Sequence, residues 1–292
     1  ENGYAWAVRW GPLEQVDVRD EAGLDAVFRR HQPVAVMHFA AYIQVGESVR
    51  EPLKYHRNNL EGVMAVAAAM QRHGVAPIVF SSTAAVYGEP ESVPIPESHP
   101  LRPANPYGSS KMACERVLSD IATAGELRYA ALRYFNAAGA DPDAEIGEAH
   151  VPETHLIPLA VRAVRDPGFT LDVFGQDFPT RDGTAVRDYI HVDDLADAHV
   201  RALERLLQGA PALALNLGTG TGTSVREVID ACARVLGSEP KHRVAGRRAG
   251  DVAALVADPA QAQAELGWTP ERSDIDSIVR SAAAWDSVLH GA

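Results

Sequence analysis

Pro77-Ile-Val-Phe-Ser-Ser-Thr83 is a short apolar run that ends in three hydroxyl side chains. An apolar run without alternation suits a strand buried on both faces of a parallel sheet. In such a sheet the carboxyl ends of the strands face the ligand crevice, which puts Ser81, Ser82 and Thr83 where chemistry is done. Upstream, Val34-Ala-Val-Met-His-Phe39 reads as a second strand of this kind, with His38 packed inside it, and Leu13–Val18 as a shorter one. Leu24, Val27 and Phe28 fall at helical spacing within 22–31. A long helix from about Leu53 to His73 stops at Gly74. A loop rich in Pro and polar groups covers 88–106, followed by a helix over 106–124 and a strand over 128–134.

Strand and helix alternate through this half, as in βαβ units, so the spacing predicts an α/β fold with a doubly wound, Rossmann-like parallel sheet. After Asn136 the texture changes. A long polar loop at 137–155 precedes a helix near 156–165, a strand near 170–173 and a loop at 177–183. Helices over 192–207, 225–236 and 274–290 and a strand over 213–217 complete the chain. This divides the chain into a first α/β region, 1–137, to which parts of 184–222 return, and a smaller α/β region, 138–292.

The chain has 292 residues, 46% hydrophobic and 23% charged, within the globular range. A net charge of −12 disfavours nonspecific binding to nucleic acid or anionic membrane. No apolar stretch is long enough to span a bilayer. Cys114 and Cys232 are distant and sit in helix-like segments, so neither a disulfide framework nor a cysteine zinc site is expected, and a reducing cytoplasm is the default. Cys114, Trp268 and Trp285 read as packing residues.

Tyr107-Gly-Ser-Ser-Lys111 places a phenol and an ammonium one helical turn apart on one face. A nearby ammonium favours the phenolate, which makes the pair a general base for an alcohol near neutral pH. Thr83, at its strand end, is placed to relay the alcohol proton. Taken alone, Y-x-x-x-K is a weak motif that a surface Tyr–Lys pair also satisfies. The strand-end hydroxyl and the βαβ setting favour catalysis. Gly218-Thr-Gly-Thr-Gly222 lacks the G-x-G-x-x-G spacing, and Ser224-Val-Arg-Glu227 reads as a capping box, so a glycine turn with a cap is favoured. His191, Asp193, Asp194 and His199 fit a strand-to-helix junction better than a metal site, and no metal is expected.

The sequence resembles the UDP-glucose 4-epimerase family of the extended short-chain dehydrogenases/reductases along essentially its whole length. The resemblance is carried by His38-Phe-Ala-Ala41, Val45-Gly-Glu-Ser-Val49, Asn58-Asn59, Ser81-Ser-Thr-Ala-Ala-Val-Tyr-Gly88, Tyr107–Lys111 and Leu132-Arg-Tyr-Phe-Asn136. It continues in Gly183-Thr-Ala-Val-Arg-Asp-Tyr-Ile-His-Val-Asp-Asp-Leu-Ala-Asp197, Asn216-Leu-Gly-Thr-Gly220 and Arg247-Arg-Ala-Gly-Asp251. It implies NAD-dependent, reversible inversion at C4 of a UDP-hexose, between UDP-galactose and UDP-glucose, through a 4-keto intermediate. Tyr107, Lys111 and Thr83 are then the catalytic residues. Asp17, Val18, Phe39, Ala40, Ala41, Asn58, Ser81 and Phe135, with Tyr107 and Lys111, line the NAD site. Asn136, Leu156, Phe174, Arg187, Arg248, Asp251 and Leu255, with Thr83 and Tyr107, hold the UDP-sugar. An Arg fork suits a diphosphate, although Arg187 beside Asp188 also fits an ordinary surface pair.

The resemblance further implies a homodimer through the helices near 53–73 and 106–124, whose apolar faces core burial explains equally well. Two departures stand out. Ile43 replaces a Lys that many relatives hold near the cofactor phosphates. Leu255 replaces a bulky Tyr found in some relatives and leaves room for an N-acetylated UDP-hexosamine. A dehydratase of the same superfamily is disfavoured, because Thr83 is followed by Ala84 and Ala85, which carry no acid or base. No strand with a glycine-rich turn precedes Leu13, so an N-terminal truncation, with poor NAD retention and an exposed apolar edge at 34–39, is the expectation for this chain.

Overall fold

The computed structural model describes residues 3–248 and 250–291. In chain order the helices are α1 (Glu21–His31), α2 (Val45–Arg50), α3 (Pro52–His56), α4 (Gly62–Arg72), α5 (Pro106–Thr123), α6 (Leu156–Arg165), α7 (Val192–Leu207), α8 (Val225–Leu236), α9 (Ala260–Leu266) and α10 (Ile275–His290). The strands are β1 (Val36–His38), β2 (Pro77–Thr83), β3 (Arg128–Tyr134), β4 (Asn136–Ala138), β5 (Leu171–Phe174), β6 (Val186–Arg187), β7 (Tyr189–His191), β8 (Leu213–Leu217), β9 (Thr223–Ser224), β10 (His242–Ala245) and β11 (Ala254–Leu255).

The main sheet has the order β1-β2-β3-β8, with every pair parallel. Ile78, Val79 and Phe80 of β2 and Ala130, Ala131 and Leu132 of β3 are all buried, because helices cover both faces. On one side α1, α4 and α5 enclose Leu24, Val63, Met70, Ile78, Phe80 and Leu118. On the other, α7 and α9 enclose Val79, Leu132, Leu195, Leu215 and Trp268. A third cluster, of α6, α8 and α10 with β5, holds Ile157, Val173, Val228 and Ile278 away from that sheet. Cys114, Cys232, Trp268, Trp285 and His38 are buried, as packing residues should be. No helix among the described residues is long and apolar enough to cross a membrane.

Some expectations need correction. Residues 13–18 form no strand. The amide of Val16 bonds back to Glu14 and that of Asp20 to Asp17, so the backbone turns locally and enters no ladder. The 34–39 strand contracts to β1, at an edge of the sheet, with Val34 and Phe39 exposed. The 53–73 helix contains a π turn at Arg57–Glu61 between α3 and α4. Part of the 137–155 loop pairs as β4 with β7, in parallel. The capping box at Ser224 and Glu227 is present, and Gly237 closes α8 in the left-handed region.

Candidate active site

Residues 80–83 lead β2 to the carboxyl end of the sheet, and α5 begins beside them. Asn105 caps α5 by accepting the amide of Gly108 at 2.9 Å, and Pro106 opens its first turn. A Cβ on Gly108 would lie 2.4 Å from the carbonyl oxygen of Ala85, so only glycine lets the helix start this close to the end of β2. That approach brings Tyr107 to Thr83, whose hydroxyl is the hydrogen-bond partner of the phenol. Thr83 also accepts the amide of Ala85 at 3.1 Å, which fixes its rotamer.

Lys111 lies one turn further on and is 2% exposed. Its ammonium donates to the carbonyl oxygen of Ser81 at 2.7 Å and stands 4.9 Å from the centre of the Phe80 ring. Burial lowers its pKa to about 8. The expected lowering of the Tyr107 pKa by Lys111 is not what the structure shows. Burial pushes the phenol up, and the opposing pull comes from the Thr83 hydroxyl, because the ammonium is committed to Ser81.

The remaining residues fall into two groups around this centre. Phe39, Ala40 and Ala41 follow β1, and the Phe39 ring packs against His199 at 5.0 Å. Asn58 sits in the π turn and donates to Asn59, which in turn binds the backbone of Tyr42 on both sides, at 2.8 and 3.1 Å. Val18 packs at the edge of the α1–α4 core, next to Gly62. Asp17 is exposed in a turn and paired with Arg19 at 2.6 Å, which holds its pKa at about 2.

The second group is linked by strand pairing. Asn136 of β4 faces Tyr189 of β7, and Arg187 of β6 faces Leu255 of β11. The Arg187 guanidinium donates to the carbonyls of Val186 and Val252 at 2.8 and 3.0 Å. It lies in the electrostatic field of Tyr189, Asp251 and Arg248, and burial lowers its pKa. Arg248 pairs with Asp251 at 3.2 Å and covers the Phe174 ring at 4.5 Å. Leu156, at the start of α6, lines a cavity of about 40 Å³ with Asn136 and Tyr189. Phe135 and Leu255 both pack on the buried Ala84–Tyr87 cluster directly after Thr83, and so join the two groups.

Asp188 is no surface partner of Arg187. It is fully buried and accepts from Thr219, Gly220 and Ala257, so it clamps the Gly218–Gly222 turn. His191 caps α7, and Asp194 receives the amides of Glu271 and Arg272, so these residues sit at a strand-to-helix junction.

Sequence reasoning missed three features. Beneath the site, Arg133 pairs with Glu115 at 2.6 Å, Glu115 accepts the Ser82 hydroxyl, and Arg133 donates to Tyr87 at 2.9 Å. The Tyr134 hydroxyl lies 2.5 Å from Nε2 of His199 and bonds to the Ser81 side chain. Glu148, His150, Glu153 and His155 bring two imidazoles and two carboxylates together, with ligand atoms within 4.8 Å of one another.

A parallel sheet with a Tyr–Lys helix beside a strand-end hydroxyl defines a nucleotide-cofactor oxidoreductase-like class. The profile of the NAD dependent epimerase/dehydratase family matches residues 2–218, and the chain belongs to that family. Within it, a UDP-glucose 4-epimerase from Rhizobium leguminosarum bv. trifolii is 52% identical over 97% of this chain and 86% of the relative. The crystal structure of UDP-glucose 4-epimerase from Brucella ovis in complex with NAD superposes with a TM-score of 0.94 at 48% identity, over 97% of this chain and 87% of that one. The UDP-Glc/GlcNAc 4-epimerase from Campylobacter jejuni superposes at 0.80 with 40% identity, over 94% and 83%.

Proposed function

We propose that this chain is an isomerase that interconverts UDP-galactose and UDP-glucose by oxidising and re-reducing C4 of the hexose, with NAD as cofactor. The observation that carries the reading is the meeting of Thr83, Tyr107 and Lys111 at the end of β2, with the Arg187–Arg248 cluster reached across Leu255.

The residues present fit NAD. Lys111 has three N–H donors and, among the described residues, one protein acceptor, Ser81, so a buried ammonium keeps donors for the hydroxyls of a ribose. Phe39, Ala40, Ala41, Asn58, Ser81 and Phe135 would line the cofactor with it, together with Asp17 and Val18. When bound, NAD supplies hydride-transfer chemistry at C4. Thr83 orients the 4-hydroxyl and passes its proton to Tyr107, which accepts it only as the phenolate and returns it once the 4-keto sugar has presented its other face. Arg187 and Arg248 hold the diphosphate, with Asp251 steering Arg248. Asn136, Leu156 and Phe174 hold the rest of the UDP-sugar. Ala84 and Ala85 offer no acid–base pair, which argues against dehydration.

We divide the chain at about 137 into a cofactor region and a mainly substrate region, with 184–222 returning to the first. We further infer a role in galactose metabolism in a reducing cytoplasm, in keeping with two buried free thiols. A homodimer through the 53–73 and 106–124 helices fits the exposed Leu53 and Met64.

Conversion of UDP-galactose to UDP-glucose, followed with added NAD, tests the function. Turnover that Tyr107→Phe lowers by about 10²–10⁴-fold is expected. Absence of turnover with NAD present, or a Tyr107→Phe variant as active as the parent, contradicts it.

A further inference from the structure

The geometry points to a divalent transition-metal site, of the zinc class, formed by Glu148, His150, Glu153 and His155. Two imidazole Nδ1 atoms converge on one carboxylate oxygen: Oε1 of Glu148 lies 2.7 Å from His150 and 2.5 Å from His155. Glu153 closes the other side, with Oε1 3.0 Å from His155 and Oε2 3.9 Å from His150. Ligand atoms bound at about 2.0–2.2 Å in a tetrahedron lie roughly 3.3–3.6 Å apart, and these separations bracket that edge.

The backbone is already held. The carbonyl of Glu148 accepts the Trp285 indole at 2.7 Å, and Oε1 of Glu153 accepts the amides of Thr154 and His155. That leaves Oε2 of Glu153 facing His150. Without a cation, two imidazoles aimed at one oxygen must both carry a proton there. A divalent ion replaces both protons and balances the two carboxylates. Two imidazoles and two carboxylates favour Zn²⁺ over Mg²⁺ or Ca²⁺, which prefer all-oxygen sets.

Glu148, His150 and His155 also line a cavity of about 560 Å³ that leaves one side of the cluster accessible. Glu148 and His155 border the smaller cavity beside Asn136, Leu156 and Tyr189 as well. The ion therefore sits at the rim of the cleft assigned above to the UDP-sugar, but its binding does not depend on that assignment.

The test is calorimetric titration of chelator-stripped protein with Zn²⁺ alone, with Co²⁺ as a spectroscopic probe. One Zn²⁺ per chain is expected, with a Co²⁺ ligand-field spectrum of four-coordinate type and no displacement by excess Mg²⁺. His150→Gln and His155→Gln should each weaken binding at least about tenfold with an unchanged circular dichroism spectrum. Glu153→Gln, on the other side of the cluster, gives an independent check should either His variant misfold. Absence of saturable binding, or affinity unchanged in the folded variants, overturns the site.

Discussion

The ammonium of Lys111 donates to the carbonyl of Ser81 and not to the phenol of Tyr107 one helical turn before it. The phenol takes its hydrogen bond from Thr83 instead, and its pKa lies above that of free tyrosine. Lys111 therefore acts first on the strand end, while Thr83 is the direct partner of the phenol.

The buried ammonium gives a pH signature. Its pKa is about 8 in the fold and 10.5 when free. Between those values the unfolded chain binds more protons, so the Lys111 contribution to stability rises as pH increases from about 8 to 10.5. Urea denaturation across that range should show the rise in the parent. Lys111→Met should remove it, and an identical pH slope in both proteins would refute the assignment.

Arg187 combines charge with a fork fixed by the carbonyls of Val186 and Val252. Arg187→Lys keeps the charge and loses the second donor. The KM for UDP-sugar should rise about 10–100-fold with a smaller effect on kcat, because the contact is made equally in ground and transition states. Steady-state kinetics distinguish this from a general loss of activity, which would lower kcat alone.

Leu255 is half-buried beside Arg187 and shares its packing with Phe135. On the proposed assignment of Leu255 to the sugar site, a branched aliphatic side chain would leave room for an N-acetyl group on the hexose. UDP-N-acetylglucosamine should be turned over, and Leu255→Tyr should cut that turnover at least about tenfold while sparing UDP-glucose. A parent enzyme that epimerises UDP-glucose but not the N-acetyl sugar would rule this out.

Much of this site is legible in sequence because its parts are local. Tyr107 and Lys111 share a helical face, and Pro77–Phe80 is apolar on both sides, so spacing marks the helix and the strand that the close start of α5 then brings together. The misread strand at 13–18 has apolar residues at Leu13, Val16 and Val18, spaced three and two apart, and such a pattern does not supply the neighbouring strand that a ladder needs. The strands β4, β6, β7, β9 and β11 are only two or three residues long and carry no period to read. Asp188 looked like a surface charge because its partners, Thr219 and Ala257, are distant in sequence and meet it only in the fold.

The Arg133–Glu115 pair was hidden for the same reason. It joins β3 to α5 in the core and ties both to Ser82, next to Thr83. Removing one charge leaves the other buried and alone. Glu115→Gln or Arg133→Met should lower unfolding free energy by about 3–5 kcal/mol, read from denaturant midpoints. A loss below about 1 kcal/mol would mean that the pair is solvated in solution.

The central claim is that C4 is oxidised and re-reduced within one site, with Tyr107 and Thr83 handling only the proton. Its most direct test uses UDP-galactose deuterated at C4, incubated in ordinary water with the chain and NAD, with the UDP-glucose product analysed by NMR. The account predicts that deuterium stays at C4, since the hydride never meets solvent. Product carrying solvent hydrogen at C4 would contradict it.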